Sequence, residues 1–254
     1  MTTLEVILTP AELPTLASRD LRDTACVVFD VLRATSTFVT ALHHGAAAVI
    51  PVAGISEALA IRRQRPDVLL GGERDGVKIR AAQTGGPDFD LGNSPRECTP
   101  DRVRGKTIVS TTTNGTRALR ACAGAQTVLA ASFLNLTVTA QHLRQLQPGQ
   151  ILIVCAGTRE NPALEDLLAA GALGEILLRD SGLRAVSDSV EIALRTHAQS
   201  RSNLARAVGR SENARRLLAI PELRDDVAFC LQPDVFNRVV SLGRQGLQVE
   251  GARP

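Results

Sequence analysis

The chain has no tryptophan, no tyrosine and only six phenylalanines, so aromatic residues make up 2% of its 254 positions. Recognition by stacking bases or sugar rings on aromatic faces is correspondingly disfavoured. The core must be built from Ala, Val, Leu and Ile, and a hydrophobic fraction of 44% supplies ample material. Lysine is scarce too: with only Lys78 and Lys106, positive charge falls almost wholly to arginine. Those arginines are scattered, the net charge is +3, and no basic patch suited to nucleic acid stands out.

Other absences narrow the classes further. The five cysteines (26, 98, 122, 155 and 230) form no CxxC pair, and their odd number leaves one over from any pairing. Cys26, Cys122 and Cys155 lie inside the apolar runs "TACVVFD", "ALRACAG" and "ILIVCAG", and are expected as buried thiols that pack rather than react. The histidines at 43, 44, 142 and 197 lie at no metal spacing, which argues against zinc. No charged-then-apolar signal opens the chain, and no apolar run reaches the ~18 residues of a membrane span. A cytoplasmic protein without membrane or nucleic-acid partners is the expectation.

What is present is an alternation of short apolar runs with amphipathic ones. "LEVILT", "ACVVFDV", "AAVIPVA", "DVLLGG", "KTIVSTTT", "QTVLAASFL" and "QILIVCAG" read as strands. Helices are expected over 34–45, from 55 with Ser56 as cap, over 115–123 and over 136–146. This order predicts a largely parallel α/β sheet covered on both faces. After about residue 160 helical patterns dominate, with Ser187, Ser202 and Ser211 as capping candidates, and "VVSLGRQGLQVEG" reads as a closing hairpin. No linker divides the chain, so residues 1–254 are expected to form one α/β domain. "ATSTFVTALHHGAAAVIPVA" and "NGTRALRACAGAQTVLAA" share the order loop, helix, Gly-Ala, strand, which hints at two pseudo-repeated lobes.

In open α/β sheets ligands bind beyond the carboxyl ends of the strands. The polar residues there are Asp30 in "DVLRATST", Glu73 in "GGERDG", the turn "STTTNGT", and "CAGTRENPALED". The turn Ser110–Thr116 offers backbone N–H groups at a helix start, a ready anion site, with a plain N-cap as the other reading. Gly115 would allow close backbone approach. An aspartate at a strand end can hold magnesium, and Arg33 could grip a phosphate or carboxylate in a fork; an ordinary structural pair is the alternative. "DLGNSPRE" reads as a turn with Pro95 opening a short helix, placing Asn93 and Ser94 as donors.

"DVLRATST", "GGERDG", "DLGNSPRE", "STTTNGT" and "CAG…ALED…AG", in this order, resemble the 2-phosphosulfolactate phosphatase family over about residues 4–250. Two departures are visible: Ser36 where the family usually has threonine, and a long segment, "IRAAQTGGPDFDL", between Lys78 and the GNSP motif. If that segment covers the sulfonate, it bears on substrate identity. The resemblance implies a three-layer α/β/α fold and a magnesium-dependent phosphatase. Its namesake reaction takes 2-phospho-3-sulfolactate to 3-sulfolactate and phosphate, on the route to coenzyme M. On that reading Mg2+ is held by Asp30, Glu73 and Asp166 or its neighbour Glu165. Arg33, Thr35 and the turn residues Thr112, Thr113, Asn114, Gly115 and Thr116 bind the phosphoryl group, with Asp30 and Arg33 catalytic. Lys78, Asn93 and Ser94 meet the carboxylate and sulfonate. The sequence leaves open whether Asp30 or a water attacks phosphorus. The runners-up are a phosphatase of the same fold for another small 2-phosphohydroxy acid and a non-catalytic anion binder, which would gain nothing from converging acids. The sequence is silent on oligomeric state, although such enzymes commonly form homodimers.

Overall fold

Residues Thr24–Phe29, "TACVVF", are buried along their whole length, and their side chains alternate between two cores. Ala25, Val27 and Phe29 face one apolar cluster, while Cys26 and Val28 face another. A strand apolar on both faces needs helices above and below it, and the computed structural model, which describes residues 1–179 and 182–250, supplies them. The strands in chain order are β1 (Thr2–Ile7), β2 (Thr24–Phe29), β3 (Ala48–Pro51), β4 (Leu69–Arg74), β5 (Val77–Lys78), β6 (Thr107–Thr111), β7 (Thr127–Ala131), β8 (Gln150–Cys155), β9 (Leu183–Ala185), β10 (Val240–Gly243) and β11 (Gly246–Val249). The helices are α1 (Ala34–His43), α2 (Ile55–Gln64), α3 (Ala81–Thr84), α4 (Pro100–Val103), α5 (Gly115–Ala121), α6 (Leu136–Leu146), α7 (Leu164–Leu178), α8 (Asp188–Ser200), α9 (Leu204–Val208), α10 (Glu212–Leu218) and α11 (Arg224–Cys230).

The strands form one mixed sheet in the order β5-β4-β6-β3-β11-β10-β7-β2-β8-β1-β9. Helices α6, α7 and α8 cover one face, packing Leu143, Leu168, Leu173 and Val190 against it. Helices α1 and α5 cover the other with Phe38, Leu42 and Leu119. The expected α/β/α layering is therefore present. Helix α7 is apolar nearly all round because α8 closes its outer side. At Gly171 the two helices approach so closely that a Cβ would collide with the Ala193 carbonyl and the His197 side chain. Among the described residues, no helix is long and apolar enough to cross a membrane.

The C-terminal hairpin is real but does not close an edge. It sits in the middle of the sheet, where β11 pairs antiparallel with β3 and β10 antiparallel with β7. On one side lies the parallel group β4, β6, β3; on the other lies the parallel group β7, β2, β8, β1, β9. Side-chain periodicity records which faces of a strand are buried, not which strand lies beside it, so this placement is invisible in the sequence. Three antiparallel pairings separate β3 from β7. In a flat sheet they would put the carboxyl ends of β2 and β6 on opposite edges. Asp30, just past β2, and Gly115, just past β6, are in contact all the same. The sheet must therefore coil through the hairpin, as accumulated strand twist allows.

The two similar sequence segments hold reciprocal positions in this arrangement. One carries the chain from β2 through α1 to β3, and the other from β6 through α5 to β7, each crossing the hairpin in the opposite sense.

Helix starts differ from expectation in two places. Gly54, not Ser56, caps α2, and Glu57 reaches back to the Ala53 N–H at 2.8 Å. Asn203, not Ser202, caps α9 by accepting from the Arg206 N–H at 3.0 Å. Ser211 caps α10 as expected, and Ser187 is the cap position of α8, although its hydroxyl bonds Ser189 instead. All five cysteines are buried and free. Burial pushes the thiols of Cys98 and Cys230 up to about 12 and that of Cys155 well above its ordinary value, which suits packing rather than reactivity.

Leu247 is fully buried opposite Val49, three residues short of the last described position. Leu247→Ala should therefore cost ~2–5 kcal/mol, as in a central core, rather than the negligible cost of a frayed terminus. Denaturant midpoints of the two proteins check this.

Candidate active site

Four strand ends and helix α10 converge on one cleft, which encloses about 540 Å³ counted out to its open mouth. Asp30 and Arg33 come from beyond β2, Glu73, Asp75 and Gly76 from β4 and its turn, Thr113 and Asn114 from beyond β6, and Thr158 and Arg159 from beyond β8. Asn93 enters from the loop before Pro95, and Asn213, Arg216 and Leu217 from α10.

Asp30 is the centre of this arrangement. Its carboxylate accepts the Ala34 N–H, the first of α1, at 3.0 Å, and lies against the backbone of Gly115, the first residue of α5, whose N–H favours its charged form. Two helix N-termini thus meet head to head across one carboxylate, where their positive ends favour negative charge. Gly115 is required here: a Cβ would lie 2.6 Å from both the Asp30 carboxylate and the Ala34 Cβ. The close approach that Gly115 allows is therefore made by the protein's own side chain.

The rest of the TTTNGT turn behaves alike. Glu73 Oε1 accepts the Thr113 N–H at 2.8 Å and its hydroxyl at 3.0 Å, while Oε2 accepts the Gly76 N–H at 2.8 Å. Thr112 Oγ1 accepts the Thr116 N–H at 3.2 Å, and the Thr116 hydroxyl returns to the Thr112 carbonyl. Asn114 Oδ1 accepts the Arg159 N–H at 3.2 Å, tying the turn to the loop beyond β8. The amides and hydroxyls that the sequence marks as an anion cradle are spent chiefly on Asp30, Glu73 and each other. The turn aims two carboxylates.

The remaining candidates divide clearly. Thr35 is fully buried and its hydroxyl bonds the Asp30 peptide. Lys78 Nζ donates to the Asp90 carbonyl at 2.9 Å, and neither Lys78 nor any residue from 79 to 91 lines the cleft. Ile79 and Phe89 instead anchor that long segment in a small core with Leu70 and Val109. Ser94 is buried and donates to Asp226 at 2.7 Å. Asp166 accepts the Val31 N–H at 2.8 Å and the Gly157 N–H at 3.0 Å, bracing the two loops behind Asp30. Glu165 accepts from Asn213 at 2.7 Å, but its buried Oε2 has no hydrogen-bond partner among the described residues. Sequence reading missed Arg216, Asn213 and Asp226, which arrive on α10 and α11 and occupy no strand end. Arg159 stands in the quoted "CAGTRENPALED" but was not singled out.

Electrostatically the acids act on one another. Burial, and after it the like charges of Glu73 and Glu165, push the Asp30 carboxyl up to about 7, against the Ala34 and Gly115 hydrogen bonds. Burial and then the charges of Asp30 and Glu165 raise Asp166 as well. Among the described residues, no three of His, Cys, Asp and Glu are grouped so as to hold a metal ion by themselves.

Two outcomes follow. With no cation bound, the native chain keeps the Asp30 proton between its ordinary 3.8 and about 7, whereas the unfolded chain releases it. Stability should therefore fall as pH rises through that window. Asp30→Asn should remove part of the slope, as read from urea midpoints in chelator across the range. Thr112→Val should lower stability by ~1 kcal/mol, the value of a lost cap, while the folded protein keeps the wild-type kcat/KM; a large kinetic loss would restore a substrate contact to Thr112.

Comparison with known proteins gives the chain its family. A family model described as 2-phosphosulpholactate phosphatase matches residues 7–245. A protein of Thermotoga petrophila named "Probable 2-phosphosulfolactate phosphatase" is 41% identical over 219 residues, covering 85% of this chain and 88% of that one. Proteins of the same name from Caldanaerobacter subterraneus subsp. tengcongensis and Trichormus variabilis are 38% and 36% identical, each over 88% of this chain and 90% and 91% of their own. With the model spanning nearly all of the described fold and three relatives above 30% identity, the chain belongs to the 2-phosphosulpholactate phosphatase family, a group of phosphoric monoester hydrolases.

Proposed function

We propose that this chain is a cytoplasmic, magnesium-dependent phosphatase that hydrolyses 2-phospho-3-sulfolactate to 3-sulfolactate and phosphate, a step of coenzyme M formation. The observation that carries the reading is the charge pattern of the cleft, in which Asp30 and Glu73 share one small volume with Arg33, Arg159 and Arg216. The proposed substrate bears a phosphate, a carboxylate and a sulfonate. Three guanidinium groups match three oxyanions in number and charge. Family membership supports phosphomonoester hydrolysis, and the names of the relatives point to this particular acid.

The donor set fits a hard cation. Magnesium is commonly held by one or two carboxylates with water and substrate phosphate completing its shell, so the lack of a three-acid cage does not oppose it. Asp30 and Glu73 in the cleft would hold the ion, with Glu165 and Asp166 behind them; the partnerless Glu165 Oε2 and the mutual repulsion of the acids both favour a cation. Such an ion would offset charge on the phosphoryl oxygens.

The chain's own groups do the positioning. Asp30, fixed by two helix starts, is assigned to the reacting end. Arg33 is assigned to the phosphoryl oxygens, and Arg159 and Arg216 to the carboxylate and sulfonate. Positioning and charge stabilisation are most of what phosphoryl transfer requires. In the net reaction the bond between phosphorus and the C2 oxygen breaks, and the oxygen of a water molecule joins phosphorus.

Phosphate release from 2-phospho-3-sulfolactate should require Mg2+, disappear in excess EDTA, and exceed that from 2-phospholactate and other 2-phosphohydroxy acids by at least tenfold, about the value of one hydrogen bond to a charged group. Full activity in EDTA would remove the cation from the reading. A preference for another acid would transfer the assignment to that substrate, and saturable phosphate binding without any turnover would leave only an anion binder.

A further inference from the structure

Arg33 is an unusual component for a cleft wall because its side chain is only 2% exposed. Nη1 donates to Asp226 Oδ2 at 2.7 Å and Nη2 to the Gly76 carbonyl at 2.5 Å. Asp226 lies on α11, far along the chain, and is fully buried. Its other oxygen accepts the Ser94 hydroxyl at 2.7 Å, and the half-exposed Arg96 approaches that oxygen to 3.8 Å. Gly76 is fixed in turn by its N–H on Glu73. A single chain of contacts thus runs from Glu73 through Gly76, Arg33 and Asp226 to Ser94.

The reason for this chain lies in the other occupants of the cleft. Arg33 shares its wall with Asp30, Glu73 and Asp75. A guanidinium free to swing there would pair with one of those carboxylates, because charge attraction is strong where water is scarce. Either partner would then be lost to the substrate. A buried carboxylate behind the arginine holds it back through a directional bond and offsets its charge, while the remaining N–H groups of the fork keep their direction.

We propose that Asp226 is a positioning residue for the phosphate site: seated by Ser94, it holds Arg33 away from the cleft acids with its fork set for the substrate's phosphoryl oxygens. The assignment of Arg33 to phosphoryl oxygens rests on the function proposed above. The position of Arg33 does not, and it can be read with inorganic phosphate alone.

The test uses Asp226→Asn, Ser94→Ala, Arg33→Lys and the two doubles with Arg33→Lys. Thermal midpoint, inorganic phosphate affinity and, with 2-phospho-3-sulfolactate, kcat and KM are measured on each. Arg33→Lys and Asp226→Asn should each weaken phosphate binding about tenfold and lower kcat about 10–100-fold, the scale of one hydrogen bond to a charged group. The Arg33→Lys, Asp226→Asn double should be no worse than Arg33→Lys alone within about threefold, since lysine has no fork left to misplace. Ser94→Ala should show the same pattern at a few-fold loss. If Asp226→Asn fails to fold, Ser94→Ala, which keeps the ion pair, decides by the same criterion. A lowered midpoint with unchanged kcat and phosphate affinity would make Asp226 purely structural and overturn the proposal, as would losses that multiply in the doubles. Should the wild type turn over no phosphomonoester, the phosphate affinities still decide for or against Asp226, and only the reading of function falls.

Discussion

One carboxylate between two helix starts is the contact on which the rest of the cleft depends. Asp30 follows β2, accepts the first N–H of α1 and lies against the first residue of α5, so it joins the two crossovers that span the sheet. Without it, two positive helix ends would face each other across a buried gap. With it, the same residue that makes the junction stable is left at the mouth of a cleft carrying a charge that burial disfavours. Structure and chemistry are therefore not separable at this position. The steric demand at Gly115 follows from the same junction, since any side chain there would wedge the two crossovers apart.

How much of this is legible in the sequence depends on the kind of signal. The β2 run "TACVVF" and the α6 pattern declare themselves because burial and periodicity are local properties. Asp30, Glu73, Thr113 and Asn114 can be found because a strand–helix alternation tells where strand ends lie. The roles of the hydroxyls cannot: a threonine-rich turn offers the same donors to a ligand as to Glu73, and only the fold shows that Glu73 has them. Lys78 looks like a substrate group and is instead bonded to the Asp90 carbonyl, because its two-residue strand turns it toward the DLGN loop. Arg216, Asn213 and Asp226 carry no local mark at all. Arg216 and Asn213 reach the cleft because α10 packs across it, and Asp226 on α11 is buried behind Arg33, a tertiary fact that helical periodicity does not encode.

The family resemblance carries its weight at the level of the motif set rather than of single contacts. Five short motifs, each weak alone, coincide with the loops that build one cleft. The long segment from 79 to 91 packs on its own small core and lines none of that cleft. On the function proposed above, discrimination among small phospho-acids accordingly falls to the arginines of the cleft, Arg33, Arg159 and Arg216, and not to that segment.

The position of the C-terminal hairpin has a consequence for biogenesis. During synthesis the chain emerges from its N-terminus, and β3 and β7 are made long before the residues at 240–249 that join them. Until then each half of the sheet carries an unpaired inner edge, the kind of surface that recruits other strands. Helix α1 also lacks β11, one of the strands it packs against. The emergence of residues 240–249 is thus the moment at which two incomplete half-sheets become one. Until those residues arrive the two half-sheets are exposed to aggregation, and whatever adjoins the hairpin must leave it free to enter the gap.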